Sequence, residues 1–409
     1  AQLSEEPSAG PGPRTWFEEA GVLIGRPGGH EACRMGVALK GGHNAEHHNH
    51  NDVGSYVAVV GSQPVLLDPG PEVYTARTFS SKRYQSDVLN SYGHPVPVVA
   101  SKLQRKGRKA RGKVLRKEFG EHSDTLVLDI SSAYAVPELK KLQRTFAYSR
   151  RGKGSLTVTD EVVFKEPKKF GTALVTLGRW KKLGPNTLKV YDTHSAVKVE
   201  IKARGGEVEI DSERIEEDVR TRSLPTRIGI DFKKPVKEAR ITVEIEPLEE
   251  EISGLRNGGF EEGSWAWRLG DGGISSVRAD RAAAGERCLE IMDESSDRGS
   301  DAKSIRIPAE QNREFEVSGK VLRLSGREKG VGIYVRFYDE DGEMLNEQKG
   351  KRGHISPLLR VGESSNNWQE FSARFTAPDG TEELLLWIHS FNAIQTRTLL
   401  DDLQIKSVE

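Results

Sequence analysis

The chain has 409 residues, 35% of them hydrophobic, and its 61 Lys and Arg are balanced by 61 Asp and Glu. A neutral whole offers no long-range attraction to nucleic acid or to a membrane surface, so anion binding has to come from local clusters. No apolar run approaches the roughly 20 residues of a membrane helix, and the length predicts two or three domains.

Residues 1–14 (AQLSEEPSAGPGPR) are rich in Pro, Gly, Ser and Glu and lack periodic apolar positions, which is the composition of a flexible arm. The start at Ala1-Gln2 instead of Met reads as a processed end, trimmed with a signal peptide or with a larger N-terminal piece, and the expected location is secreted or periplasmic. From 15 to 250 the chain is a series of short β-branched segments, such as Tyr56–Val60, Val65–Leu67, Thr125–Leu128, Leu156–Thr159, Val197–Lys202 and Ile241–Ile245, with Gly, Pro, Asn or Asp between most of them. The pattern predicts an all-β protein whose first domain is a large antiparallel β-sandwich. An acidic stretch at 249–253 marks a break, and strand-like segments resume over 254–409, a length that suits a second sandwich. Cys33 and Cys288 fall in different predicted domains, so no disulfide is expected.

Four of the ten histidines lie between His43 and His50, directly before an apolar strand. In an extended chain His48, His50 and Asp52 share a face. Asp68 ends the next strand in Leu66-Leu67-Asp68-Pro69-Gly70, and a hairpin would return it to the height of His50. His94, in Ser91-Tyr92-Gly93-His94, is a candidate third ligand, because imidazoles with one carboxylate suit Zn²⁺. A solvated His-rich turn, with Asp68 as an ordinary turn residue, is the competing reading.

The order His-x-His-x-Asp, strand, Leu-Leu-Asp-Pro-Gly, Arg83-Tyr84 and Ser91-Tyr92-Gly93-His94 resembles the signature stretch of heparinase II/III-type polysaccharide lyases, over about residues 17–245. The resemblance implies a C-terminal zinc-binding β-sandwich of that type. It makes His50, Asp68 and His94 the ligands of a mainly structural Zn²⁺, His48 the catalytic histidine and Tyr84 a catalytic tyrosine, with Tyr74 near enough to compete. Asp52 would orient a ligating histidine, and Arg83 would contact substrate. Arg144 and Tyr134 also match family positions, where strand packing is the expected role. Such lyases cleave acidic, uronic-acid-containing glycans, glycosaminoglycan or alginate, by β-elimination. A histidine suits the base and a tyrosine the proton transfer to the leaving oxygen. In the family an (α/α) toroid supplies further catalytic groups, and no toroid lies within these residues. The expectation is a lyase part that works with a separate toroid domain or chain. The alternative is a non-catalytic zinc-containing glycan-binding protein.

Between Lys102 and Lys117 basic residues crowd together, and Arg105, Lys106, Arg108 and Lys109 are candidate contacts to an acidic polysaccharide. A solvated hairpin face is the plainer reading; without interleaved aromatics, nucleic acid is not expected. Residues 254–409 resemble jelly-roll carbohydrate-binding modules of families 4, 9 and 22, through Asn257-Gly258-Gly259-Phe260-Glu261, Gly285-Glu286-Arg287-Cys288-Leu289, Trp368-Gln369-Glu370-Phe371 and Leu400-Asp401-Asp402-Leu403. That resemblance implies a structural Ca²⁺, with Glu261 and Asp402 as candidate ligands. Sugar binding needs an exposed aromatic face; among Trp265, Trp267, Tyr334, Tyr338, Trp387 and Phe391, the candidates are Trp267 and Tyr338.

Overall fold

A computed structural model of the chain describes residues 12–408 apart from 31, 62, 221–223, 249–253, 327–330, 346–357, 362–366 and 391–394. Most of the 1–14 arm, the 249–253 break and Phe391 thus lie outside the described residues. The end of the arm does not match its expectation: Arg14 is the first residue of the strand Arg14–Phe17, and its guanidinium is 2.7 Å from the Asp124 carboxylate. The chain divides into two compact units, residues 1–250 and 251–409.

The alternation read from the sequence is realised in both units, and the fold is all-β with antiparallel sandwiches. Among the described residues the only helical segments are the 3₁₀ turns Arg83–Gln85, Ser91–Gly93 and Ser131–Ala133. In unit 1 an eight-stranded sheet runs in the order Arg179–Gly184, Thr187–Tyr191, Ala196–Arg204, Val236–Leu248, Ser155–Lys168, Leu139–Ser149, Ser123–Asp129 and Lys113–Phe119. A five-stranded sheet orders Arg14–Phe17, Val22–Gly25, Met35–Lys40, Tyr56–Val60 and Gln63–Leu66. A four-stranded sheet orders Val208–Arg214, Thr226–Phe232, Phe170–Thr176 and Val98–Val99. One buried cluster draws on all three sheets, with Leu39 and Tyr56, Phe146 and Phe164, and Phe170 and Ile230 among its members.

One cross-strand pair in that core is not apolar. Ser155–Lys168 turns Leu156, Val158, Asp160, Val162 and Phe164 inward, and Leu139–Ser149 turns Leu142, Arg144, Phe146 and Tyr148 inward. Arg144 lies directly opposite Asp160 and binds it through two nitrogens, at 2.7 and 2.6 Å. Its remaining donors reach the carbonyls of Gly54 and Pro95, both at 2.6 Å, and Thr172 Oγ1 at 2.8 Å. All five N–H groups of the guanidinium are therefore used, which is the condition for keeping such a charge buried.

In unit 2, one sheet orders Trp267–Leu269, Ala302–Ser304, Glu383–His389, Val331–Tyr338 and Leu359–Val361, with Ile307–Pro308 also pairing to Glu383–His389. The other orders Ser275–Arg278, Cys288–Asp293, Thr396–Ser407, Glu314–Gly326 and Gln369–Thr376. Ile333, Val335, Leu386 and Ile388 from the first face Ile291, Val317, Leu400 and Ile405 from the second in one core. Cys33 and Cys288 are both free and buried. Phe146 is fully buried in the unit 1 core, so Phe146→Ala is expected to destabilise that unit by about 3–5 kcal/mol, measured by urea unfolding.

Candidate metal centre

The chain brings its three metal-binding candidates together through two loops and a hairpin. Met35–Lys40 pairs with Tyr56–Val60, which turns back through Gln63–Leu66, so Asp68 emerges beside the loop that precedes Tyr56. Ser55 Oγ donates to Asp68 Oδ2 at 3.2 Å and the Gly70 N–H to Oδ1 at 3.3 Å. His94 follows the 3₁₀ turn Ser91–Gly93, whose start is capped by the Asn90 side chain accepting from Tyr92 N at 2.7 Å. Gly93 is required there, because a Cβ would run into the Asp87 carbonyl.

His94 is fully buried; its Nδ1 lies 2.7 Å from Asp68 Oδ2 and its Nε2 lies 2.9 Å from the Val88 carbonyl. His50 Nδ1 is 4.0 Å from Asp68 Oδ1, and one ligand atom from each of the three residues falls within 4.8 Å of the other two. No other group of three His, Cys, Asp or Glu side chains meets that condition among the described residues.

This arrangement suits a cation. A carbonyl can only accept, so Nε2 of His94 carries its proton toward Val88. That leaves the lone pair of Nδ1 facing a carboxylate oxygen, unless the ring is doubly protonated. Two acceptors at hydrogen-bond distance require either a proton between them or a positive ion bound by both. Two imidazoles and a carboxylate, with a coordination position left over, match the donor preferences of Zn²⁺. The surroundings sort the protons in the same sense. Burial, reinforced by the charge of His94, pushes His50 down to about 4, so His50 is a neutral donor at pH 7. Burial also opposes the charged form of His94, but the Asp68 carboxylate beside it, with Asp52 farther off, outweighs burial and raises its pKa. Burial of Asp68 is likewise overcome by His94, His50 and the Gly70 N–H, and its carboxyl stays well below the usual range.

The extended-strand argument for His48 does not hold. Residues 45–48 form a turn, His48 sits at φ 54° and is exposed, and the i, i+2 alternation is broken before His50. Asp52 also differs from expectation: it is buried and bound by Lys40 Nζ at 2.7 and 3.0 Å, so it hydrogen-bonds to neither ligand histidine. Tyr84 and Arg83 do reach the cluster. Tyr84 Oη donates to Asn49 Oδ1 at 3.2 Å and an Arg83 Nη donates to the Asn49 carbonyl at 2.9 Å, so both pin the residue between His48 and His50. Tyr74 is exposed, packs edge-on against Phe79 and lies under Arg220, away from those contacts.

Gln104 and Ser55, which the sequence reading missed, hold the loops in place together with Arg144 and Tyr134. Buried Gln104 donates to the Val53 carbonyl at 2.7 Å and accepts from Val53 N and Asn44 Nδ2, both at 3.0 Å, while Ser55 reaches Asp68. Arg144, through Gly54 and Pro95, joins the loop of His50 to the loop of His94. Tyr134 donates to the Pro97 carbonyl at 2.5 Å. In the basic run, Gly107–Arg111 pairs with His43–Asn44, with Arg111 opposite His43, so this strand borders the segment leading into the histidine turn. Lys106, Arg108 and Lys109 are exposed there, whereas Arg105 donates to the Ser132 carbonyl at 2.9 Å.

In unit 2 the candidates are corrected. Trp267 is 7% exposed, packs on Phe260 and donates to the Asn257 carbonyl at 3.1 Å; Tyr338 is 8% exposed and covered by Arg306, 3.6 Å from its ring centre. Neither presents a free face to a sugar. Asp402 turns toward Gln404 and Lys320 at 3.0 and 3.4 Å, while Glu261 accepts from Glu286 N and Arg287 N. The acid that shares the 283–287 loop with Glu261 is buried Asp401, which accepts from Ala283 N and Ala284 N. A row of side chains beside that core runs along Val331–Tyr338 and Glu383–His389, with Tyr334 buried and Trp387 half-buried. Tyr334 pairs with Trp387, Arg336 lies 4.1 Å over the Trp387 ring, and His389 stacks on it at 4.5 Å. Trp387 Nε1 and Arg336 Nε are buried without a hydrogen-bond partner among the described residues.

Each of the two units contains a match to a family model. Residues 9–179 match the family model "Heparinase II/III-like, C-terminal" and residues 253–393 match "Carbohydrate binding domain". The chain thus carries a heparinase II/III-like C-terminal domain followed by a carbohydrate-binding domain. Among solved structures, a heparinase III gene product is 14% identical with a TM-score of 0.50, over 73% of this chain and 41% of that one. A heparan sulfate lyase from Pedobacter heparinus is 14% identical with a TM-score of 0.47, over 68% of this chain and 40% of that one. A xylan-binding domain from Paenibacillus barcinonensis is 20% identical with a TM-score of 0.29, over 39% of this chain and 96% of that one. The chain therefore spans about two fifths of the length of the heparinase structures it matches. No curated protein matches it.

Zinc binding is expected to release a proton from His94, whose pKa the Asp68 carboxylate raises, and the release is expected to shrink as the pH rises, because a metal takes only the deprotonated ring. Calorimetry in buffers of different ionisation enthalpy measures this. Ser55→Ala, which removes a hydrogen bond to Asp68, is expected to weaken zinc about 10- to 100-fold. Asp160→Ala leaves Arg144 buried without its carboxylate and is expected to cost about 3–5 kcal/mol in urea unfolding.

Proposed function

We propose that this chain is the β-rich part of a polysaccharide lyase that cleaves acidic, uronic-acid-containing glycans by β-elimination, with His50, Asp68 and His94 holding a structural Zn²⁺. The heparinase-like domain and the carbohydrate-binding domain support a glycan-lyase-related protein. The observation that carries the finer reading is the placement of His48 and Tyr84. His48 is exposed and adjoins Asn49, the residue that Tyr84 and Arg83 both bind, and His50 is the next residue along.

In the proposed reaction His48 takes the C5 proton of a uronate. The C5–H electron pair forms the C4–C5 double bond, the C4–O bond breaks, and Tyr84 gives a proton to the departing oxygen. Bound Zn²⁺ would supply a fixed positive charge that keeps the Asp68 and His94 loops in register. Exposed Lys106 and, on the strand beside His43–Asn44, exposed Arg108 and Lys109 would hold further carboxylates or sulfates of the same chain. The groups that neutralise the reacting carboxylate would come from a toroid domain, in cis or on a separate chain. Secretion or periplasmic export belongs to the same proposal, since polymeric glycans lie outside the cytoplasm.

A non-catalytic glycan-binding role is the second reading, supported by the match of residues 253–393 to a carbohydrate-binding domain. Ultraviolet absorbance of the unsaturated uronate, measured with heparan, alginate, hyaluronan and ulvan, separates the two. The lyase reading predicts absorbance from one of these glycans with the chain, joined by its toroid, and a loss of about 10²–10⁴ in rate for His48→Ala and Tyr84→Phe at unchanged zinc content. Binding without absorbance from any of the four would replace it with the second reading.

A further inference from the structure

A second basic site lies in unit 1, away from the metal ligands in sequence and sharing none of their contacts. The pairing of Ser123–Asp129 with Leu139–Ser149 is prolonged by the Arg150 N–H donating to the His122 carbonyl at 2.8 Å. The loop after Val22–Gly25 brings His30 against this end, and the rings of His30 and His122 meet at 5.0 Å between centres. Together with Gly29, Ala32, Arg150, Arg151 and Gly152 they line an open cleft of about 530 Å³. We propose that this cleft binds an oxyanion, the carboxylate or sulfate group of an acidic sugar.

The charge balance favours an anion. Arg150 forms the buried wall, fixed by the Arg26 and Pro13 carbonyls, both at 2.7 Å, and by Asp124. Asp124 is shared, since Arg14 also binds it at 2.7 Å, so two guanidinium groups face one carboxylate and a positive charge is left at the wall. Nη1 of Arg150 is buried without a hydrogen-bond partner among the described residues. No acidic side chain lines the cleft among the described residues, and no carboxylate there pairs with His30, His122 or Arg151.

The shape agrees. Gly29 and Gly152 border open space, with nothing within 4 Å of where a Cβ would stand, so the basic groups surround room for a ligand larger than water. Imidazole N–H and guanidinium N–H groups are the donors that recognise carboxylate and sulfate. Two histidines alone would equally suit a divalent metal, but Arg150 and Arg151 at the same cleft repel a cation. The oxyanion site stands apart from the lyase reading, since it shares no residue with the metal cluster or the histidine turn; only the choice of an acidic sugar as the source of the anion rests on that reading.

The test is NMR of the full chain with ring-labelled histidine, titrated with sodium sulfate and, separately, with sodium glucuronate, at ionic strength held constant with sodium chloride. The expected result is saturable movement of the His30 and His122 signals with both probes, a still His94 signal, and at least a fivefold weaker Kd in Arg151→Ala. Arg151 is exposed, so that variant keeps the fold, and Lys237→Ala, at another exposed lysine, should leave the titration unchanged. Movement that never saturates, or that Arg151→Ala leaves unaltered, would overturn the site. So would stoichiometric movement of both rings with zinc chloride and none with sulfate, which would make it a metal site.

Discussion

A histidine whose far nitrogen is tied to a backbone carbonyl has only its near nitrogen to offer, and at His94 that nitrogen faces the Asp68 carboxylate inside the protein. His94 itself is fully buried, so bulk solvent does not reach its ring. Either a proton stays on the ring or a cation takes its place, and His50, held neutral by burial, stands where a second donor to that cation belongs. The rest of unit 1 is arranged to keep those loops fixed. Arg144 reaches across from the eight-stranded sheet to the carbonyls of Gly54 and Pro95, and Gln104 closes the same loops from the other side.

Much of this was legible in the sequence where it depended on order along the chain. The hairpin that returns Asp68 needs only two adjacent β-branched runs with a short turn between them, and it forms as read. Asp160 stands at an inward position of an alternating strand and Arg144 at one of its neighbour, but their pairing depends on register, which the sequence does not state. The histidine turn was misread for a local reason. A run of polar residues before a strand was taken as extended, whereas His48 adopts a positive φ, which a short polar stretch tolerates far better than a β-branched one. Asp52 was assigned by proximity in sequence, yet Lys40 on the adjoining strand claims it.

Aromatics in unit 2 show the same limit. Trp267 and Tyr338 were chosen from six candidates with no knowledge of which sheet face each would occupy, and one is core while the other is roofed by Arg306. Trp387 alternates with Leu386 and Ile388, so its strand could be read as having an inner and an outer face, but which of the two met water required the second sheet. The two acids at the end of the chain point apart: Asp401 turns inward, to the loop that Glu261 also binds, and Asp402 outward, the alternation that a strand imposes on neighbours.

The central claim is that two imidazoles and one carboxylate from separate loops share a single divalent ion. X-ray absorption at the zinc edge of the purified, zinc-loaded chain tests it most directly. The account predicts one zinc per chain bound only by nitrogen and oxygen at about 2.0–2.2 Å, with two imidazole rings resolved. Sulfur in the coordination shell, a single imidazole, or zinc that washes out without stoichiometry would contradict it.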